Sequence, residues 1–321
     1  MPLFDLPQAA LEAYLPDRRE PHDWDAFWQR TLADSRRNPL DLATTRHTVA
    51  LSAVDAHEVT FSGFGGHPVS GLFLRPGGTG TVPAVVQFLG YGDGTGSPLD
   101  WLAWPAAGFA TLVMDTRGQG ARARRAGRTG DPEGSASPHV EGFLTQGVLD
   151  PDDYYYRRVF TDAVRAVDAV RALPGVDAAR VAVQGTSQGG AIALAASALA
   201  DDVAAAMVNV PFLCDVRRAI EVTDTAPYAE LLAFVRTRRH DAQRALEVLA
   251  YFDGITMAAH STVPALFSIA LMDDICPPST GYAAYNHYAG PKELVVYPYN
   301  MHEGGGAHHD EAQLAWLTGR W

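Results

Sequence analysis

Apolar positions recur along this chain with two alternating periods. Asp23 to Arg36 carries Trp24, Phe27, Trp28 and Leu32 at helical spacing, which predicts an amphipathic helix in an otherwise polar, proline-punctuated arm over residues 1–45. His57 to Ser62 and Val69 to Leu74 read as paired strands joined across Gly63-Phe64-Gly65-Gly66. Pro83 to Leu89 is a short apolar run suited to a central strand. A glycine-rich loop, a helix containing Trp101, Leu102 and Trp104, and a strand from Phe109 to Met114 follow.

After a long loop, Tyr156 to Leu173 reads as a helix with Val159, Ala163, Val167 and Val170 on one face. Next come a β-branched run, Arg180 to Gln184, a small-residue helix, Ala191 to Leu199, and a strand, Val203 to Val210. Residues 213–260 are mostly helical and suggest a cap-like insertion. Strand Ala265–Leu271, helix Gly281–Tyr288, strand Glu293–Tyr297 and a closing helix from about Asp310 to Leu317 complete the series. Strands alternating with helices predict a mainly parallel sheet covered on both faces, hence one α/β domain over residues 1–321. No repeat or low-complexity linker divides the chain.

Composition narrows the function classes. The 321 residues are 47% hydrophobic and 19% charged, and no apolar run approaches the roughly 18 residues of a membrane helix. Met1-Pro2-Leu3-Phe4-Asp5-Leu6-Pro7 lacks the basic start and apolar core of a secretory signal. A soluble, cytoplasmic protein is expected, with no membrane partner. A net charge of −12 argues against nucleic acid. The local exception, Arg122, Arg124, Arg125 and Arg128, reads as a solvated loop or a subunit contact, since no aromatic residues interleave as stacking platforms. Cys214 and Cys276 are too few for a disulfide framework and are expected to be buried thiols.

The stretch with the sharpest chemistry is Gly185-Thr186-Ser187-Gln188-Gly189, between the β-branched run and the small-residue helix. Strand, tight turn and helix around G-x-S-x-G match a nucleophile elbow, which lifts a serine hydroxyl above the end of a parallel sheet. An acid and then a histidine should follow, each after a later strand. The run ending at Leu271 continues into Met272-Asp273-Asp274, and the run ending at Tyr297 continues into Pro298-Tyr299-Asn300-Met301-His302. Asp273 is favoured over Asp274 because it lies nearer the strand end. His302 is favoured over His287, His308 and His309, because it alone sits in a loop directly after a strand and before a glycine run. His308 and His309 are expected on the surface. A serine hydroxyl needs the imidazole to take its proton and the carboxylate to fix the imidazole tautomer. Two amides would then complete an oxyanion hole: that of Gln188, after the nucleophile, and that of Tyr91 in the loop after an early strand.

Two decoys fail. His302, Glu303, His308, His309 and Asp310 could suggest a metal, but Gly304-Gly305-Gly306 forbids the continuous helix an H-E-x-x-H site needs. Gly118-Gln119-Gly120-Ala121-Arg122-Ala123 matches a dinucleotide fingerprint formally, without the amphipathic helix that would hold a pyrophosphate. No cofactor or metal is expected.

The order of Arg117-Gly118-Gln119, Gly185-Thr186-Ser187-Gln188-Gly189 and His302-Glu303 resembles that of the acetyl xylan esterase and cephalosporin C deacetylase family, carbohydrate esterase family 7. Tyr154 to Ala163 and Cys276-Pro277-Pro278-Ser279-Thr280 strengthen the likeness, which covers nearly the whole chain. The resemblance implies an α/β-hydrolase fold, a triad of Ser187, Asp273 and His302, an oxyanion hole from Tyr91 and Gln188, and a bracing role for Arg117 and Gln119. It implies deacetylation of short acetylated xylooligosaccharides and of cephalosporins through an acetyl-enzyme, with perhydrolysis as a side activity. It also implies a homohexamer, a dimer of trimers whose sites face an internal cavity. A general short-chain carboxylesterase and a catalytically silent scaffold are the competing readings. Two positions depart from the family pattern: Thr186 stands where glycine is usual, and Asn209 where aspartate is common.

Overall fold

The computed structural model describes residues 3–78, 80–140 and 142–321; the first two residues of the arm, residue 79 and residue 141 lie outside the described residues. The strands are β1 (Ala43–Arg46), β2 (Val54–Ser62), β3 (Pro68–Pro76), β4 (Val82–Phe88), β5 (Ala110–Met114), β6 (Val176–Thr186), β7 (Ala205–Asn209), β8 (Ala265–Ala270) and β9 (Lys292–Tyr297). They form one sheet in the order β1-β2-β3-β5-β4-β6-β7-β8-β9. The β1–β2, β2–β3 and β3–β5 pairs are antiparallel, and every pair from β5–β4 to β8–β9 is parallel.

The helices are α1 (Gln8–Glu12), α2 (Trp24–Arg36), α3 (Ala103–Ala106), α4 (Tyr155–Ala172), α5 (Gln188–Leu199), α6 (Val216–Val222), α7 (Tyr228–Thr237), α8 (Ala242–Leu249), α9 (Gly254–His260), α10 (Pro278–His287) and α11 (Gly306–Thr318). Because side chains alternate along a strand, the central strands feed two cores. Val86, Val183, Val208 and Phe267 face α4, α5 and α10. Val85, Ala182, Met207 and Leu266 face Trp104 of α3 and Leu317 of α11. This is the expected α/β-hydrolase architecture.

Four differences from the sequence expectation have physical causes. β1 carries no apolar alternation, since all four of its residues are exposed at the sheet edge. The helix expected around Trp101 is a 3₁₀ turn, Pro98–Trp101, capped by Ser97, followed by the single turn of α3. α4 is buried nearly all round, and its Arg158, Asp162 and Arg165 are buried too, because each is hydrogen-bonded. α11 begins at Gly306, four residues before the expected start, so His309 lies within it and is 2% exposed.

The arm docks on the insertion that α6 to α9 make. Trp24 and Trp28 each donate an indole N–H to the Tyr251 carbonyl, at 3.0 and 3.1 Å, and Phe27 and Trp28 pack against Phe252. Burying side chains of this size stabilises by about 2–3 kcal/mol each. The strand order places a topological switch point at β4, since the chain passes from β4 to β5 on one side and β6 to β7 on the other. Crevices at the carboxyl ends of such strands are where open α/β sheets bind ligands.

Candidate active site

At that switch point β6 runs into α5 through one strained residue. Ser187 adopts φ 61° and ψ −120°, a backbone state costly for a residue with a Cβ and held by its surroundings. Its amide donates to the Asn209 carbonyl at 2.9 Å, and its own carbonyl accepts from the Phe212 amide at 3.0 Å. The flanking glycines are sterically required. A Cβ at Gly185 would lie 2.1 Å from the Gly189 carbonyl oxygen, and one at Gly189 would lie 2.2 Å from that of Phe88.

The later strands deliver the two predicted partners. Asp273, buried just past β8, accepts from the amides of Ile275 and Cys276 through Oδ1 at 2.9 Å each. Its Oδ2 lies 2.8 Å from Nδ1 of His302, in the loop after β9. Ser187 and His302 line one cavity of about 420 Å³. No hydrogen bond joins them among the described residues; such contacts are often long before substrate binds. Burial, followed by the Asp273 charge, pushes the Cys276 thiol well above its ordinary pKa, with the Ser187 hydroxyl acting weakly the other way. Cys276 and Cys214 are both buried and unpaired, as expected.

The amides of Gln188 and Tyr91 have no hydrogen-bond acceptor among the described residues. For Gln188 this follows from its place at the first position of α5, where amide donors have no intrahelical partner. Both are therefore open to a developing oxyanion. The Tyr91 side chain points away from that role: its hydroxyl donates to Glu230 of α7 and accepts from the Phe143 amide at 3.0 Å. Burial and the Glu230 charge push the phenol's pKa far up.

Gln119 and Arg117 sit behind these donors. Gln119 Oε1 accepts from the Gly92 amide at 2.7 Å, while its Nε2 donates to Gln188 Oε1 at 2.8 Å and to the Tyr155 hydroxyl at 2.9 Å. One side chain thus ties the Tyr91 loop to the start of α5. Arg117 is fully buried and forks onto Asp162 at 2.6 and 2.7 Å, with Asp131 at 3.2 Å. Burial opposes its charge, but the Asp162 and Asp131 carboxylates outweigh it and raise the guanidinium's pKa. The Tyr155 hydroxyl donates to the Arg117 carbonyl at 2.6 Å.

The arginine loop is not simply solvated. Arg122 and Arg125 line the cavity that Ser187 and His302 share, and Arg125 pairs with Asp93 and stacks on Trp101 at 4.3 Å. Arg128 pairs with Glu58 at 2.6 Å while staying about half exposed, and Arg124 is 84% exposed. From the insertion, Ala226 and Pro227 line the same cavity.

His309 corrects the surface expectation more strongly. Its Nδ1 meets the Tyr297 hydroxyl and its Nε2 meets Asn209 Oδ1, each at 3.0 Å. Both ring nitrogens are therefore engaged, which leaves no lone pair for a metal. Burial, and to a lesser degree neighbouring His308, lowers its pKa to about 4. Asn209 also accepts from Gln313 at 2.7 Å and donates through Nδ2 to Thr186 Oγ1 at 3.3 Å. The two departures from the family pattern touch each other. Neither this network nor Glu230 has a local sequence signature, since the partners lie 100 and 139 residues apart.

Comparison with known proteins places the whole chain in one family. The model of the acetyl xylan esterase family matches residues 1–320. The acetyl xylan esterase from Paenibacillus sp. R4 superposes with a TM-score of 0.91 at 36% identity, covering 98% of this chain and 99% of that one. Acetyl xylan esterase 1 from Thermoanaerobacterium sp. JW/SL YS485 gives 0.89 at 31% identity, with the same coverage. The acetyl esterase Axe7A of Xylanibacter ruminicola is 28% identical over 317 residues, 95% of this chain and 69% of that protein.

Proposed function

The chain belongs to the acetyl xylan esterase family and is a carboxylic ester hydrolase acting on acetyl esters, and we propose that Ser187, His302 and Asp273 carry its chemistry. Ser187 attacks the acetyl carbonyl while His302 Nε2 takes its proton; Asp273 holds the imidazole in the tautomer that can do so. The amides of Tyr91 and Gln188 receive the oxyanion. His302 returns the proton to the leaving alcohol, then activates the water that releases acetate from Ser187. Arg117 and Gln119 keep these donors in register. The observation that carries the reading is the 2.8 Å contact between Asp273 and His302 beside a serine held at φ 61°.

Acetylated xylooligosaccharides and cephalosporin C are the proposed substrates, supported by the family and by a cavity of about 420 Å³, sized for a small ester rather than a polymer. We extend the proposal to cytoplasmic placement, which two unpaired buried thiols support, and to a hexamer, which rests on the family resemblance and on exposed apolar side chains such as Tyr299 and Met301. None of the helices is long and apolar enough to cross a membrane, among the described residues. The test is a steady-state comparison of acetylated xylotriose, cephalosporin C and 4-nitrophenyl acetate, with S187A as control. Loss of all three activities in S187A, with its thermal transition intact, is expected; turnover in S187A comparable to the parent enzyme overturns the assignment.

A further inference from the structure

Thr186 stands where two cavities meet. It lines the catalytic space, and it also lines a neighbouring cavity of about 290 Å³ between α11, the Pro98–Trp101 turn and the ends of β4 and β6. The second cavity has a polar wall that includes Gln87, Gln184, Gln313, Asp100 and Asp310. Carboxylates and amides of this kind suit a ligand rich in hydroxyl groups.

The direction of the Thr186 hydroxyl follows from the bonds behind it. Asn209 Oδ1 faces two donors, His309 Nε2 and Gln313 Nε2, and an amide oxygen only accepts. The imidazole therefore carries its proton on Nε2 and accepts from the Tyr297 hydroxyl through Nδ1, in keeping with a ring that burial keeps neutral. Asn209 is then left with its Nδ2 donors toward Thr186. Thr186 Oγ1 accepts from Asn209, so its own proton is free to be donated forward, beside the nucleophile.

We propose that Thr186 is a specificity-determining residue, its hydroxyl donating a hydrogen bond to a free hydroxyl oxygen of the leaving alcohol and favouring acetate esters of polyhydroxylated alcohols over those of apolar ones. Asn209, with His309 and Gln313 behind it, is the positioning group that sets this direction. The inference rests on the reading of Ser187 as nucleophile. An aspartate at position 209 would accept the Thr186 proton and turn the donor inward, whereas asparagine leaves it facing the cavities.

The test is the ratio of kcat/KM for acetylated xylobiose to kcat/KM for 4-nitrophenyl acetate, whose leaving group has no aliphatic hydroxyl. Loss of one well-placed hydrogen bond corresponds to about a tenfold fall in that ratio. T186V and N209D should each show the fall, and T186S should keep the parent ratio. Labelling of Ser187 by a fluorophosphonate reports that each variant retains a formed site. A ratio within about twofold of the parent in labelled T186V, or a fall in T186S as large as in T186V, overturns the inference alone. Hydrolysis persisting in S187A would remove the reading of Ser187 and this inference with it.

Discussion

Asp273 meets His302 with one carboxylate oxygen at 2.8 Å while its other oxygen takes two backbone amides, so the carboxylate cannot rotate without breaking them. D273N is isosteric, and its side-chain oxygen would stay with the amides of Ile275 and Cys276. Its NH₂ would then face His302 Nδ1, forcing the proton onto Nε2, where it blocks proton transfer from Ser187. We expect kcat to fall by about 10³–10⁴, with near-ultraviolet circular dichroism unchanged. A fall of less than tenfold would remove Asp273 from the triad.

Gln119 gives a second prediction, because it joins the two halves of the oxyanion site. Q119A leaves the buried Gly92 amide without an acceptor, a loss of about 1–3 kcal/mol, measurable by urea denaturation. Because the bridge holds the Tyr91 and Gln188 amides in register, kcat should fall while KM moves little, as the affected interaction belongs to the transition state. An unchanged urea midpoint together with unchanged kcat in Q119A would show that the bridge is not needed.

His309 carries a pH dependence whose sign is fixed by its environment. The folded protein holds the ring neutral down to about pH 4, whereas the unfolded chain protonates it below its ordinary value near 6.5. Between these values the unfolded state binds more protons, so stability is fully present above about pH 6.5 and is lost as pH falls toward 4, by roughly 3 kcal/mol. Buried Asp253 opposes this over an overlapping range, because burial raises its carboxyl to about 7. Comparing urea midpoints of the parent and H309Q cancels that contribution. The parent should lose more stability than H309Q between about pH 7 and pH 4.5; parallel losses would show that His309 is not the group responsible.

The parts of the site that the sequence made legible were those fixed by strand order and local turn chemistry. Ser187, Asp273 and His302 each follow an apolar run, and a parallel sheet gathers the carboxyl ends of such runs at one edge. Gly185 and Gly189 announced the elbow because no other residue leaves room there. What stayed hidden depends on contacts across the sheet faces. His309 looked exposed because His-His-Asp is polar, yet its position in α11 turns it toward Asn209. Arg158, Asp162 and Arg165 broke the apolar pattern of α4 because buried charges read as solvent-facing until their partners are known. Thr186 and Asn209 stood out separately; their contact appears only when β6 pairs with β7.

The paired guanidinium and carboxylate groups behind the nucleophile bear on how a chain like this can diverge. Arg117 and Arg158 share Asp131, and Arg117 also holds Asp162. Removing one member strands a buried charge at a cost of about 3–5 kcal/mol, a large part of a domain's net stability. A single substitution there therefore removes much of the fold's margin, and compensating changes are easiest when the partners change together. Among the described residues, the side facing α11 carries no such interlock of buried charges around Thr186 and Asn209, so single changes there strand no buried charge. Descendants of this sequence would therefore keep their reaction and exchange their substrates.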